Sequence, residues 1–528
     1  MLRSSESPTP LPDLDRQVFD LIVPADHYLR QVAAHIDFER FRPRLAEPYS
    51  AGLGRPAIDP VRMLKILFLR FHYQLSDRQV MERAKTDMAF RWFLDLPLRT
   101  AVPNHTEGTY FRQRLGAERF VQIFQELLGQ AREAGLVKDR LRLKDATHLF
   151  AAVADVQPLA LAAQVRERLL RAAAPFFPDW VQAQRAALET LRQTTAEFAD
   201  DERLAARLEH LRTLVAHLRE RTAAWPPAEP HEGPRRRLQR AVAVAAKLVT
   251  DQSDPQAQDR LASASDPDAR VGKHGGYFVG YLLDLSLDAD SELITGVNVL
   301  PGNGAEAADA LTLIRQEEAA QGNDVAGLSL DGAGYNGPVL RALTDPRGLN
   351  LDVTVPPPTP AARTTFGPER FSLQVLDAQH GEVTCPHGQT TRQRSRTRQG
   401  TGYRYQFKAR QCAACPLREQ CQENPASRRG RVVIKNDYEA EYAQVAAKAK
   451  TPEYQEVRRT HPKIERKLNE VVRHHQGRRA CYRGLAKVLT QGVLTALVVN
   501  VKRMVKLLRQ RAEAGAAART VRAELGAT

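Results

Sequence analysis

Hydrophobic residues recur along the 528-residue chain with a period that changes from segment to segment, and each period predicts a different element. In residues 54–98 they follow helical spacing, which breaks at "QLSDRQ", where Ser76 and Gln79 match a capping box. Two helices joined by a tight turn are therefore predicted, either a DNA-docking helix-turn-helix or a plain helical hairpin. Another helix is predicted over 105–136, ending at Gly135.

A period of two residues replaces the helical period in "LRLKDATHLFAAVA", residues 141–154, and predicts a strand. The next segment, 160–250, has a helical composition, and two apolar seams that change phase at "ADDE" predict an antiparallel pair of helices. Strand patterns return as a hairpin in "GYFVGYLLDLSLDADSELITGVNVLPGN", followed by a helix, a strand that ends on Asp331, and a strand closed by prolines. This order predicts a mixed α/β sheet with a helical insertion.

The remainder of the chain is more basic. Residues 360–435 are polar, contain four of the five cysteines and are expected to be loosely structured, and helical spacing returns after them. The predicted organisation is an all-α, DNA-binding N-terminal domain (1–136), a first part of the α/β core (137–357) with the insertion at about 158–262, a basic cysteine-containing insertion (358–435), a basic helical C-terminal part of the core (436–510) and a disordered tail (511–528).

Composition favours an acidic partner. The 77 Lys and Arg residues exceed the 62 Asp and Glu residues, and the net charge of +15 favours a polyanion such as nucleic acid. The N-terminal residues lack an apolar signal core, and the apolar run "GVLTALVVNV" is too short to span a bilayer, so a cytoplasmic protein with no membrane partner is predicted. Five cysteines are too few for a disulfide framework in a chain of this length.

Three acidic residues occupy unusual positions. Asp145 falls in the middle of a predicted strand, Asp331 at the end of another, and Glu465 at the start of a basic helix. An ionised carboxylate in a sheet is costly unless it is paired or bound to a metal ion. Carboxylates of this kind suit Mg²⁺, and two such ions suit phosphodiester displacement. The alternative is that each acid is an ordinary turn or cap residue.

Several segments resemble one family. "KDATHLFAAVA", "LSLDGAGYNGPVL" and "PKIERKL…RRACYRGLAKV…NVKRM" resemble, in this order, the three catalytic blocks of bacterial insertion-sequence transposases of the DDE type. "ADHYLRQVAAHID", "GRPAIDPVRMLKILFLRFHYQLSDRQV" and "RWFLDLPL" resemble the N-terminal helical domain of that family, and "SDPDAR" and "CPHG…CAACPLREQC" resemble its later signatures. The resemblance runs from about residue 15 to residue 510.

The resemblance implies a ribonuclease H-like core in which Asp145, Asp331 and Glu465 are the catalytic acids and bind two Mg²⁺ or Mn²⁺ ions. It implies metal-dependent cleavage of double-stranded DNA at the terminal inverted repeats of a transposon, followed by transfer of the 3′-hydroxyls into target DNA. Work on two DNA ends implies a homodimer or a higher oligomer, acting at the bacterial nucleoid. Two alternatives are a catalytically inactive or repurposed DNA-binding protein and a metal-dependent nuclease with the same core.

Basic residues near these features are the candidate DNA contacts. Related transposases often carry a Lys about seven residues after the third acid, whereas Val472 stands there in this chain, beside Arg473. Solvated faces are the ordinary interpretation of such charge runs, but next to a phosphoryl-transfer centre they suit the DNA backbone. The candidates are Arg78, Arg83 and Lys85 near the predicted helix-turn-helix, and Arg458, Arg459, Arg473, Arg478, Arg479 and Arg483 around the third acid.

The four clustered cysteines form a candidate zinc site. Cys412 and Cys415 are a C-x₂-C pair, with Cys385 before it and Cys421 after it. Four thiolates suit tetrahedral Zn²⁺, although the spacing of the outer two is looser than in a standard zinc ribbon, and His387 is a substitute ligand. The alternative is four reduced thiols without a metal.

Overall fold

The computed structural model describes residues 11–50, 57–154, 156–226, 232–273, 275–359, 365–377 and 380–525. The first three residues of the segment 54–98, five residues of the helical insertion and the last three residues of the tail lie outside the described residues. The structure has a helical N-terminal region, a mixed central sheet interrupted by helices, and a long C-terminal helix. The predicted mixed α/β architecture is confirmed at this level.

The N-terminal region contains the predicted pair of helices. Ser76 Oγ accepts a hydrogen bond from the Gln79 backbone N–H at 3.2 Å, and the Gln79 side chain accepts one from the Ser76 N–H at 2.8 Å, which confirms the capping box. The helices of this region are α1 (Asp13–Ile22), α2 (Tyr28–His35), α3 (Arg42–Ala46), α4 (Pro60–His72), α5 (Asp77–Thr86), α6 (Met88–Phe93) and α7 (His105–Glu133). The helix α7 ends near Gly135 as predicted and is kinked at Gly116, whose φ is 71°.

The central sheet follows in the sequence, and the strand that comes first along the chain lies in the middle of the sheet. It contains β1 (Arg142–Phe150), β2 (Arg270–Lys273), β3 (Tyr277–Asp288), β4 (Ile294–Pro301), β5 (Gly327–Ser329) and β6 (Asp352–Thr354). Strand β1 is antiparallel to β3 on one side and parallel to β5 on the other, and β5 is parallel to β6. Both β2 and β4 pair with β3, which forms the predicted hairpin with β4.

The helical insertion lies between β1 and β2 in the sequence and has its own hydrophobic core. Its helices are α8 (Pro158–Ala173), α9 (Pro178–Thr194), α10 (Asp200–Thr222) and α11 (Gly233–Ser253). The Trp180 ring stacks on His217 with centroids 4.8 Å apart, while His210 lies 3.4 Å from Gln184, so α9 and α10 run antiparallel as predicted. The insertion therefore contains two helices beyond the predicted pair.

The two faces of the central sheet are covered by different helices. Leu143 and Leu149 of β1 pack in the main core with the N-terminal helices and the C-terminal helices. Alternate residues point to the other face, where Arg142 is fully buried and bonds Glu317. The helices on that second face are α12 (Glu306–Gln321), which carries Glu317, and α13 (Gly337–Thr344).

The cysteine-containing region is a folded β unit, so the prediction of a loosely structured segment is wrong. Its strands are β7 (Ser372–Asp377), β8 (His380–Thr384), β9 (Thr390–Thr391), β10 (Arg394–Arg396), β11 (Gly402–Gln406) and β12 (Val432–Asn436), with α14 (Ala409–Ala413) and α15 (Arg418–Cys421) between the last two. They form two three-stranded sheets around the buried side chains of Phe371, Val383, Tyr405, Phe407 and Val433. Strands this short, with at most two buried residues each among the described side chains, leave almost no alternating pattern in the sequence.

The C-terminal part consists of α16 (Glu439–Lys448), α17 (Pro452–Thr460), α18 (Pro462–His474) and α19 (Leu485–Leu525). The helix α19 continues to Leu525, into the segment expected to be disordered. Within the described residues, 485–516 is the one stretch of helix long and apolar enough to cross a membrane, by length and composition only. Of its most apolar window, 72% is buried inside the fold, where α19 packs against β4, α4 and α7, as a core helix does.

Candidate active site

The central sheet brings two of the three predicted catalytic acids together. Strands β1 and β5 are parallel, with Leu143 opposite Ser329. Continuing this register by two residues places Asp145 beside Asp331, which follows the end of β5. Asp331 also caps a short turn, because its Oδ1 accepts a hydrogen bond from the Ala333 N–H at 3.1 Å.

The Asp145 carboxyl is held in an unfavourable environment for its charge. Burial, together with the neighbouring carboxyls of Asp331 and Glu306, raises its pKa to about 6, against a lowering by the Ala146 N–H and Lys144. The Ala146 N–H donates to Asp145 Oδ1 at 2.8 Å. In the described part of the chain Asp145 has no ion-pair partner, and Lys144 offsets its negative charge only in part.

The nearest cation along the chain faces the other side of the sheet. Lys144 Nζ lies 3.0 Å from Asp284 Oδ2 and donates to the Glu306 carbonyl oxygen at 2.6 Å. Asp284 is fully buried, and burial, together with the nearby Asp309, raises its pKa well above its usual range despite Lys144. Lys144 is therefore committed to a buried structural cluster on the face of β1 opposite to Asp145.

Helix α18 carries Glu465 along the same face of β1 as Asp145. Its buried residues Ile464, Leu468 and Val471 share the main core with Leu143, which lies on the Asp145 face of β1. At 100° per residue, Glu465 falls on the edge of this buried stripe, and it is exposed. Nothing described links Glu465 directly to either Asp, and no group of three or more His, Cys, Asp or Glu side chains among the described residues is arranged to hold a metal ion. The convergence of all three acids stays a prediction.

A histidine that the sequence did not single out fixes the start of α18 at the sheet. His461 is 2% exposed, and its Nδ1 lies 3.0 Å from Ser329 Oγ at the end of β5. Burial lowers its pKa to about 4, helped by Arg458 and opposed by Asp331. Its position immediately before Pro462 in "THPKIE", one helical turn from Glu465, is the signal that could have identified it.

The candidate DNA contacts fall into two groups. Arg478 Nη1 donates a hydrogen bond to the His148 carbonyl oxygen at 3.0 Å, and burial lowers the pKa of Arg478. This guanidinium therefore stabilises the end of β1. Arg458 and Arg483 donate to backbone carbonyls, and Arg83 and Lys85 pair with acids on their own helix. The side chains that are exposed, with no hydrogen bond or ion pair to any other described residue, are those of Arg78, Arg459, Arg473 and Arg479.

The four cysteines lie in one region of the small β unit. Cys385, Cys412 and Cys421 pack against its core, and all four thiols are free and half-buried. Burial raises the pKa of Cys421, and the thiols of Cys412, Cys385 and Cys415 raise it further. The Arg431 N–H donates to Cys412 Sγ at 3.4 Å. The thiols are neighbours but do not form a preassembled metal site, so zinc binding stays a prediction.

Two comparisons with protein families identify parts of the chain. Residues 17–114 match a transposase domain (DUF772), and residues 384–505 match a transposase DDE domain. The second range includes Glu465 and the four clustered cysteines, while Asp145 and Asp331 lie outside both ranges. No curated protein and no solved structure matches the chain. Together the two family matches support an insertion-sequence transposase of the DDE type, and the resemblance seen in the sequence is confirmed.

Proposed function

We propose that the protein cuts DNA at the ends of its insertion sequence and joins the freed 3′-hydroxyls to target DNA, with Asp145, Asp331 and Glu465 as the catalytic acids. The observation that carries this proposal is that Asp331, two residues past the end of the parallel strand β5, lies close enough to Asp145 of β1 to raise the pKa of its carboxyl. Burial and Asp331 raise the pKa of Asp145, which has no ion-pair partner among the described residues. Its charge is therefore costly in a purely structural role.

The same observation supports a divalent cation as the missing counter-charge. Asp145 and Asp331 offer hard oxygen ligands of the kind that Mg²⁺ and Mn²⁺ prefer, and Glu465 would complete the set from α18. When bound, two such ions supply activation of the attacking oxygen and stabilisation of the leaving oxygen in phosphodiester displacement.

The protein's own groups position the acids. The register of β1 and β5, continued by two residues, brings Asp145 next to Asp331, while His461 and Arg458 hold the end of β5 through Ser329 Oγ and the Leu330 carbonyl. Glu465 lies on the exposed rim of α18, where a DNA strand has access. The phosphates of that strand are proposed to contact the exposed guanidinium groups that have no partner among the described residues, which are those of Arg78, Arg459, Arg473 and Arg479. Because two transposon ends are cut and joined, we propose that the chain acts as a homodimer or a higher oligomer.

The small β unit supports a second, structural metal. Its core has only five fully buried large side chains, and four thiols surround it. A Zn²⁺ ion held by Cys385, Cys412, Cys415 and Cys421 would cross-link the two small sheets and add stability that this core does not supply. The thiols would have to move closer together for tetrahedral coordination.

The direct test is a cleavage and joining assay. The full chain is incubated with Mg²⁺ or Mn²⁺ and a duplex that carries the inverted repeats flanking its gene, beside Asp145→Asn, Asp331→Asn and Glu465→Gln. Glu453→Gln, an exposed acid on the preceding helix, is the matched control. Cutting and joining by the wild type and the control alone are expected. Equal cutting by all variants would refute the assignment of the acids.

Two other outcomes of the same assay select the alternatives. Cutting without joining would identify a metal-dependent nuclease with this core. Binding of the duplex without cutting by the wild type, under both metals, would identify a DNA-binding protein that has lost catalysis.

A further inference from the structure

We propose that the helical insertion and the start of α19 form a separate DNA-binding cleft, which holds the phosphodiester backbone of the duplex away from the catalytic acids. The inference rests on the proposed function for its ligand, DNA, and is independent of the chemistry at Asp145 and Asp331. It gives a function to an insertion whose helices, from the sequence, have only a packing role.

The cleft is lined by six cationic side chains. It is a cavity of about 460 Å³ between α8, α11 and the start of α19. No Asp or Glu lines it, and its floor is made of small apolar residues such as Val165 and Val244. The cations are Arg168 and Arg171 from α8, Arg237 and Arg240 from α11, and Arg483 and Lys487 from the C-terminal segment.

Most of these cations have no partner inside the protein. Arg168, Arg237, Arg240 and Lys487 are exposed and form neither a hydrogen bond nor an ion pair with another described residue. Arg171 lies 3.3 Å from Glu167 in a solvent-exposed pair, and such pairs are weak. The positive charge of the cleft is therefore available to a ligand.

Two acids, Asp266 and Asp268, flank the lining residue Pro267 in the sequence, and both accept hydrogen bonds from the backbone. Asp266 Oδ1 accepts a hydrogen bond from the Gly484 N–H at 2.9 Å, and Asp268 Oδ2 accepts one from the Leu485 N–H at 3.0 Å. Both carboxylates thus bond the first backbone N–H groups of α19, and neither is part of the lining of the cleft.

Chance placement does not explain the lining. The chain contains 62 acids for 77 Lys and Arg residues, so six charged residues drawn without selection would include acids. The six come instead from three segments far apart in sequence, and the fold collects them in one concavity with apolar walls. Apolar walls concentrate the electric field of the cations. This increases the repulsion among the cations when the cleft is empty, and it strengthens their attraction for an anion.

The shape of the site favours a long polyanion over a small one. A second cavity of about 610 Å³ shares Lys487 with the first and continues past Arg236 and Tyr482 to Arg112, which pairs with Asp77 at the start of α5. The two cavities form a groove from the insertion to the second helix of the predicted helix-turn-helix. A mononucleotide or a free phosphate would fill only a small part of this groove, whereas a duplex can follow it.

The position of the cleft relative to the acids suits one continuous DNA molecule. Arg483 donates to the carbonyl oxygen of Ala152 at 3.1 Å, and Ala152 lies seven residues beyond Asp145. Seven extended residues span at most about 23 Å. At ~3.4 Å per base pair this equals about seven base pairs, so DNA held in the cleft can reach the acids.

The test measures DNA binding without catalysis. Every protein carries Asp145→Asn, which prevents cutting, and binds a labelled duplex of arbitrary sequence, about 30 base pairs long, over a series of salt concentrations. The cleft variant is Arg237→Ala/Arg240→Ala. The control, Arg212→Ala/Arg219→Ala, removes the same charge from exposed positions of α10 that do not line the cleft.

We expect the cleft variant to bind at least about tenfold more weakly near physiological salt, with the slope of log K against log salt reduced by about 2, one unit for each lost phosphate contact. The control should stay within about twofold of the parent. Equal affinity and equal slope for the cleft variant and the control would overturn the inference. If the cleft variant fails to fold, as judged by circular dichroism, Arg168→Ala/Arg171→Ala on α8 takes its place.

The two proposals fail separately in these experiments. A wild-type chain that binds DNA through the cleft but does not cut it with Mg²⁺ or Mn²⁺ refutes the proposed chemistry and leaves the cleft intact. A chain that cuts and joins DNA while the cleft variant binds like the control refutes the cleft alone.

Discussion

Arg458 Nη1 donates a hydrogen bond to the carbonyl oxygen of Leu330 at 2.9 Å, so a residue of α17 holds the backbone immediately before Asp331. Its charge also lies close enough to His461 to lower the pKa of that imidazole. A guanidinium predicted from the sequence to contact DNA is therefore directed at the protein's own strand end. This relationship makes Arg458 a positioning residue for the second acid.

Replacing Arg458 should slow cutting without weakening DNA binding. In Arg458→Met the Leu330 carbonyl loses its donor, and Asp331 is free to move away from Asp145. Small displacements of catalytic groups reduce rates by about tenfold to a hundredfold. The measurement is the single-turnover cutting rate at saturating DNA, beside the dissociation constant of the duplex.

Arg459→Met is the matched control, because its guanidinium is exposed and has no partner among the residues that the structure describes. It should weaken DNA binding and leave the saturated cutting rate within about twofold, as expected for one phosphate contact. If Arg458→Met instead weakens binding and keeps the saturated rate, Arg458 contacts DNA and does not position Asp331.

Metal binding should depend on pH through Asp145. Burial and Asp331 raise the pKa of this carboxyl to about 6, and a proton on it competes with a cation. The apparent affinity for Mn²⁺ should therefore fall about tenfold per pH unit below pH 6, whereas an unperturbed Asp would lose it only near pH 4. Calorimetric titration with Mn²⁺ between pH 5 and pH 8 measures this dependence.

Without a metal ion, the raised pKa of Asp145 should make the fold less stable as the pH rises, whereas metal binding should become stronger. A carboxyl whose pKa is raised in the folded state takes up a proton on folding, so its contribution to stability is lost as the pH rises from about 4 to about 6. The free energy of unfolding of the wild type, relative to Asp145→Asn, should fall over this range. A difference that rises with pH would show that the Asp145 carboxylate is stabilised by a cation in the fold.

The sequence predicts local features of this fold better than those that depend on tertiary contacts. The capping box at Ser76, the strand around Asp145 and the β3–β4 hairpin are written in local spacing, and the structure has them. Neither the role of His461 nor the partner of Arg458 is readable locally, because the residues they bond, Ser329 and Leu330, lie about 130 residues away. The two small sheets around the cysteines depend on contacts between strands too short to show a period.

A buried ion network at the start of β1 should dominate the stability of the central sheet. Arg142 is fully buried and lies 2.6 Å from Glu317 and 3.0 Å from Asp288, both of which are also fully buried. Arg142→Met leaves Asp288 without its cation and Glu317 with only Arg132, 2.8 Å away. The loss of one partner from a buried pair costs about 3–5 kcal/mol. Urea denaturation of the full chain, followed by circular dichroism, measures the change.

Arg140, two residues before Arg142, forms an exposed ion pair that serves as the control for this buried network. Arg140 pairs with Asp290 at 2.8 Å, but its side chain is 57% exposed, and exposed pairs contribute at most about 1 kcal/mol. Arg140→Met should therefore be nearly neutral. Similar losses for both variants would mean that general charge, rather than burial of the network, sets the stability.

The zinc content of the purified protein tests whether the four clustered thiols bind a metal ion. If the four thiols near the core of Phe371 and Tyr405 hold Zn²⁺, the purified chain should contain about one zinc ion, and Cys412→Ser/Cys415→Ser should contain none. Elemental analysis after dialysis gives the content directly. The thiolates must be deprotonated for binding, and burial raises the pKa of Cys421, so the ion should also be released more readily as the pH falls.

Cys481→Ser is the control, because Cys481 is exposed and lies outside the small β unit. It should keep the zinc. A chelator should lower the thermal midpoint of the wild type and leave that of Cys412→Ser/Cys415→Ser unchanged, since only the wild type has an ion to lose. Wild-type protein that contains no zinc when prepared in zinc-supplemented medium would show that the small β unit is held by its hydrophobic core alone.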